Sequence, residues 1–122
     1  MTISHPDTDQ IELANVLTAL GDETRLAMIG YLALDGGQEL ACGQFYGLGS
    51  KTILSYHLAK LREAGVVQVR PEGTKRMISL RRADLDGKFP GFLDAVLKNA
   101  VTLAAEARKN AALEPEEALA SD

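Results

Sequence analysis

The chain has 122 residues, one domain's worth, so no second catalytic domain is expected. Hydrophobic residues make up 46% and charged residues 25%, the balance of a globular domain that buries a core, which excludes a chain disordered throughout. The net charge of −4, from 13 basic and 17 acidic residues, argues as a total against a nucleic-acid partner.

Cys42 is the single cysteine. It excludes an internal disulfide and any zinc site built from several thiolates of one chain, and it fits a reducing cytosol. No apolar run approaches the roughly 18 residues that span a bilayer, and residues 1–10 lack the basic and apolar regions of a secretory signal. A cytoplasmic protein without a membrane partner is expected.

Residues 1–8 show no apolar periodicity and are expected to form a flexible arm. From Asp9, the apolar residues Ile11, Leu13, Val16, Leu17 and Leu20 recur at helical spacing, and Gly21 ends the run. Asp22 is placed to cap a second helix carrying Leu26, Ile29, Tyr31 and Leu32, which stops at Asp35-Gly36-Gly37. Residues 39–46 suggest a short third helix weakened by Gly43, Gly47 and Gly49. Ser50 then opens a clearer helix over about 50–64 that ends at Gly65. On it Leu54, Leu58 and Leu61 fall within about 60° of one another and form the core stripe. The pattern changes to strand-like over about 66–81, broken by Pro71-Glu72-Gly73-Thr74, which predicts a hairpin. A long helix over about 89–110 carries a broad apolar stripe, and 113–122 forms an acidic tail.

The position of the charge carries more information than its total. Residues 1–49 hold one base against seven acids, 50–82 hold eight bases against two acids, and 83–122 hold four bases against eight acids. A basic helix and hairpin are therefore flanked by acidic helices. An α-helix fits the major groove of duplex DNA, and cationic side chains of a hairpin reach adjacent phosphates. A solvated charged face is the competing reading. The order of elements, short helix, turn, polar-faced helix, hairpin, is that of a winged helix-turn-helix, giving a mainly α fold with a small β-hairpin over residues 9–112.

The stretch Leu17-Thr-Ala-Leu-Gly-Asp-Glu-Thr-Arg-Leu-Ala-Met-Ile resembles the second-helix signature of ArsR-type winged-helix regulators. Ser50-Lys-Thr-Ile-Leu-Ser-Tyr-His-Leu-Ala-Lys-Leu-Arg-Glu-Ala-Gly-Val-Val resembles their recognition helix, and Glu72-Gly-Thr-Lys-Arg stands where their wing turn stands. The resemblance covers about residues 17–80. It implies a homodimeric repressor that binds a near-palindromic operator in double-stranded DNA and is released by an inducer such as a small molecule. Helices at both ends of the chain match the family's dimerisation elements in position. Their apolar stripes, Leu13, Val16, Leu17 and Leu20 in the first and Phe92, Leu93, Val96, Leu97, Ala100 and Val101 in the last, are wider than so small a domain covers alone. Intramolecular packing of the two helices is the alternative.

Ser50 is the expected N-cap, with its hydroxyl and the nearby N–H groups also suited to a phosphate. Lys51, Thr52, Ser55 and Tyr56 are the candidates for base or phosphate contact, because they lie toward the end of the helix that enters the groove. His57 projects about 60° from Leu54 and is either a structural histidine or a phosphate donor. Lys60 faces outward as a helper. In the hairpin, Lys75 and Arg76 follow the turn as the leading wing contacts, and Arg70 is the next. Each has a solvated surface residue as its plain alternative.

Many members of the family bind metals through cysteines of the third helix or His and carboxylates of the last. Here the third-helix region offers Cys42 alone, and the last helix has no His. Asp94 and Glu106 are 12 positions apart, about 18 Å along a helix, and cannot share one ion. No metal and no cofactor are therefore expected, and the release signal is expected to be non-metal. Cys42 is an alternative redox or electrophile sensor, although Glu39 and Asp35 disfavour the thiolate it would need; packing as a small apolar residue is the plainer reading. An enzyme is not expected, for want of convergent catalytic groups or a phosphate-cradling loop. A winged-helix adaptor that binds protein and not DNA is the other rival.

Overall fold

A computed structural model describes residues 3–113. A 3-10 turn, Thr8–Gln10, precedes helix α1, Leu13–Leu20, so the expected start near Asp9 resolves into a turn and then a helix. Helix α2, Glu23–Ala33, begins where Asp22 caps it: the carboxylate accepts the Arg25 N–H at 3.0 Å. That hydrogen bond holds the Asp22 carboxyl below the usual carboxylate range. A 3-10 turn, Leu34–Gly36, ends the helical run.

The short third helix is absent. Residues Leu40–Ala41 form a strand, β1, and Cys42–Gln44 a single 3-10 turn. Gly47 follows with φ +80°, a left-handed conformation that interrupts any helix through this stretch. Its bare Cα also sits against the last helix of the chain, where a Cβ would lie 2.8 Å from the Ala107 carbonyl oxygen. Tyr31 of α2 donates its hydroxyl to the Tyr46 carbonyl, and burial pushes the phenol up to about 12, so it remains a donor across physiological pH. The segment leading into the next helix is thereby fixed from both sides.

Helix α3, Lys51–Glu63, is capped by Ser50, whose Oγ accepts the Ile53 N–H. It ends at Gly65, φ +85°, over which Ile11 packs. Strands β2, Val67–Glu72, and β3, Lys75–Leu80, pair antiparallel with Glu72 opposite Lys75 across a two-residue turn, Gly73-Thr74. Strand β1 joins the other edge of β3, with Leu40 opposite Ile78, giving a three-stranded sheet in the order β1-β3-β2. Pro71 thus lies on an edge strand, where its missing N–H costs no ladder bond.

After the sheet the chain makes a further helix that periodicity does not reveal, α4, Arg82–Lys88, anchored by buried Leu85. Helix α5, Phe92–Leu113, follows. The core joins all of these elements: Val16 and Leu20 from α1, Met28, Ile29 and Leu32 from α2, and Leu54, Leu58 and Leu61 from α3. The sheet adds Val67, Val69 and Ile78, and α5 adds Leu93, Leu97, Ala100 and Ala104. The architecture is mainly helical with a small antiparallel sheet, a winged helix-turn-helix. Among the described residues no helix is long and apolar enough to cross a membrane.

The arm is held by side chains from three directions. His5 Nε2 accepts the Val69 N–H at 3.0 Å on the outer edge of β2, and Arg62 donates to the Ser4 carbonyl. Arg81 donates to the Pro6 carbonyl at 2.7 Å, and Thr8 Oγ1 donates to Asp84 at 2.8 Å. The acidic tail beyond residue 113 lies outside the described residues.

Candidate nucleic-acid interface

The leucines of α3 face inward, so the opposite side of the helix is presented outward by the same periodicity. Thr52, Tyr56 and Lys60 are exposed there, and Lys51 and Ser55 are exposed on the flank toward the wing. Lys75 and Arg76 are exposed on the hairpin. Between them runs a cleft of about 870 Å³, with Lys51, Ser55, Ala59 and Arg62 on the helix side and Thr74, Lys75 and Arg76 on the wing side. Among the described residues four cationic side chains line this cleft and no carboxylate does. Among the described residues none of Lys51, Lys60, Lys75 and Arg76 takes part in a salt bridge. Their charge is therefore directed at solvent, where a polyanion would meet it.

Two candidates are engaged elsewhere. His57 is half-buried, and its Nδ1 lies 2.9 Å from Arg25 Nη1. A guanidinium only donates, so Nδ1 accepts and the imidazole ties α3 to α2. Of the two readings of His57, the structural one fits this bond. Arg70 donates to both oxygens of Glu39, at 2.7 and 3.2 Å, and lies 3.6 Å from Glu72. The Arg70 hydrogen bonds hold the Glu39 carboxyl below its usual range. Arg70 thus braces the base of the wing. The same holds for two more bases of the central block: Arg81 pairs with Asp84, and Arg82 with Asp86 and Asp94.

Ser50 is half-buried and occupied as the cap, with its O–H still able to donate. Cys42 forms no disulfide and lines the floor of the cleft, half-buried, beside Ala41 and Gly43. Among the described residues no three His, Cys, Asp or Glu side chains converge as a metal site requires. Sequence reasoning missed Ile53, 50% exposed on the outer face of α3, and the placement of Ser4 and Arg62 at the cleft. The signal for Ile53 was present, since at 100° per residue it lies about 100° from the centre of the leucine stripe.

The apolar stripes divide once the chain is folded. Val16, Leu20, Leu93, Leu97 and Ala100 are buried in the chain's own core, at most 6% exposed. Leu13 and Leu17, 42% and 51% exposed, remain on the outside of α1 as an i, i+4 pair. On α5, half-buried Phe92, Val96 and Leu103 share one flank, while Val101 lies on the other beside Leu34 and Lys109.

No protein-family model matches the chain. It is 40% identical over 101 residues to the uncharacterized HTH-type transcriptional regulator YceK of Bacillus subtilis (strain 168), an alignment that takes in 79% of this chain and 95% of that protein. A relative matched over nearly its whole length, on a chain that presents an exposed basic helix beside a basic wing, identifies the family: the chain belongs to the helix-turn-helix transcriptional regulators.

Proposed function

We propose that the protein is a homodimeric repressor of the ArsR type, without enzymatic activity, that binds a near-palindromic operator and leaves it on a non-metal signal. The observation that carries this reading is the cleft between α3 and the wing, bordered by Lys51, Arg62, Lys75 and Arg76 and, among the described residues, by no carboxylate. In this reading the first turns of α3 enter the major groove and the wing lies along the adjacent backbone. A dimer places two such helices on one face of the duplex about 34 Å apart, which matches a palindrome. Leu13 and Leu17 on α1, with Phe92 and Val96 on α5, are the residues left to form the two-fold interface.

Selection of duplexes from a random pool, followed by titration of the enriched site at several salt concentrations, tests the proposal. With about four phosphates neutralised by each subunit, log K against log salt has a slope of roughly −7 for the dimer. Lys51→Ala relaxes base preference, whereas Arg76→Ala weakens all duplexes alike and makes the slope shallower by about one per subunit. Leu17→Glu yields monomers in sedimentation and loses the operator preference. A slope near zero, or enrichment of no sequence, refutes the reading.

A further inference from the structure

Helix α3 carries two large apolar side chains on its outward face, Ile53 at 50% and Tyr56 at 57% exposure. They are three residues apart and project within about 60° of one another. Thr52 precedes them and Lys60 follows on the same side of the helix, while Lys51 lies on the flank that borders the wing-side cleft. The Tyr56 ring is held from two directions: the Lys60 ammonium lies 5.5 Å from its centroid, and the His57 ring meets it edge to face at 5.3 Å. His57 is itself fixed by Arg25. Ile53 is stiff for a different reason, because a β-branched side chain in a helix has one strongly preferred χ1 rotamer. The two therefore form a preorganised apolar ridge in the first two turns of an otherwise polar face.

Local stability does not account for Ile53. At a solvent-facing helix position isoleucine is a poorer helix former than alanine or glutamine, and a half-exposed side chain contributes only part of its apolar area to the core. Nor can an isoleucine hydrogen-bond a phosphate or the polar edge of a base. In the major groove the bases present one apolar group, the C5-methyl of thymine. Resting on the DNA-reading function proposed above, we infer that Ile53, buttressed by Tyr56, is a specificity-determining residue that recognises thymine methyl groups in the operator. Thr52, on the same side of the helix, supplies a polar contact to the same groove, so the preference is for sites that place a thymine beside the base pair it reads.

The test uses the duplex enriched from the random pool, remade with deoxyuridine in place of each thymidine in turn, which removes one methyl and leaves every hydrogen-bonding group unchanged. Wild-type protein is expected to lose about four-fold in affinity at one or two thymines of each half-site, the effect of one buried methyl. Ile53→Ala is expected to bind the thymidine and deoxyuridine duplexes equally at those positions, to bind random duplex as wild type does, and to keep the wild-type circular dichroism spectrum. Ile53→Val is expected to retain part of the discrimination. Indifference of the wild type to every deoxyuridine replacement overturns the inference, as does an Ile53→Ala protein that keeps the full methyl penalty. A change of oligomeric state in Ile53→Ala with the penalty intact assigns the residue to a protein interface and overturns it equally. Enrichment of no sequence at all refutes the DNA-reading function itself, a result distinct from enrichment of a site indifferent to its methyls.

Discussion

His5 accepts a hydrogen bond from the Val69 amide, which only an imidazole with a free Nε2 lone pair can do. Burial, and then the charges of Arg62 and Arg81, lower its pKa from the ordinary 6.5, outweighing an opposing hydrogen bond at Ile3. The folded state thus favours neutral His5. Its contribution is complete above the unfolded value, 6.5, and is lost as the pH falls below that through the folded value. Protection of the Val69 amide, its exchange measured against the intrinsic rate at the same pH, is expected to fall on acidification below pH 6.5, more steeply than for amides inside α2. In His5→Ala that amide is expected to be equally unprotected at every pH. Equal pH profiles for the two proteins would contradict the arm's dependence on this bond. His57, by contrast, meets a guanidinium of α2 inside the fold. Helical angle puts it at the margin of the core, and the bond to Arg25 of α2 fits the structural reading.

The wing combines a turn that its residues dictate with a brace that they do not announce. Gly73, with φ +62°, meets the left-handed requirement of the two-residue loop, and the alternation of Val67 and Val69 buries one face of β2. The brace is Glu39, which comes from the loop before β1 and takes both donors of the Arg70 fork. Glu39→Gln removes that negative charge from the wing and leaves Arg70 with only the longer 3.6 Å pair to Glu72, freer to meet a phosphate. Affinity for random duplex is expected to rise, with the log K against log salt slope steeper by about one per subunit. An unchanged slope places Arg70 out of reach of phosphate. Elements α2, α3 and the hairpin were legible because each carries its own stop and start: Asp22, Ser50, Gly65 and Gly73. Helix α4 was not, because a seven-residue helix with one buried side chain has too few apolar positions to show a period. Strand β1 was not, because its two residues become a strand only when β3 lies beside them.

At the scale of the molecule, α2 and α5 pack along each other so closely that Gly30 admits no side chain. A Cβ there would stand 2.1 Å from the Ala100 carbonyl oxygen, which is backbone and cannot move aside without shifting α5. Gly30→Ala, although it favours the helix by local propensity, is therefore expected to destabilise the fold by about 1–3 kcal/mol, as overpacked cores do. Urea denaturation measures this, and a gain in stability would show that α5 adapts. The same packing explains why the two apolar stripes could not be divided beforehand: Leu93, Leu97, Ala100 and Ala104 turn toward α2 and the core, leaving the Phe92 and Val96 flank outside.

What the sequence determined by itself was everything set within a few residues or by composition along the chain: caps, helical period, the hairpin turn, and the concentration of basic residues in 50–82 between two acidic segments. From these the winged helix-turn-helix and the outward residues Lys51, Thr52, Ser55, Tyr56, Lys75 and Arg76 could be read. The tertiary structure decided which of those charges are neutralised and which apolar residues are used up in the core. Arg70 meets an acid 31 positions away, and Thr8 an acid 76 positions away. Hydrogen bonds and ion pairs act over a few ångströms, and only the fold brings residues so distant along the chain within that range.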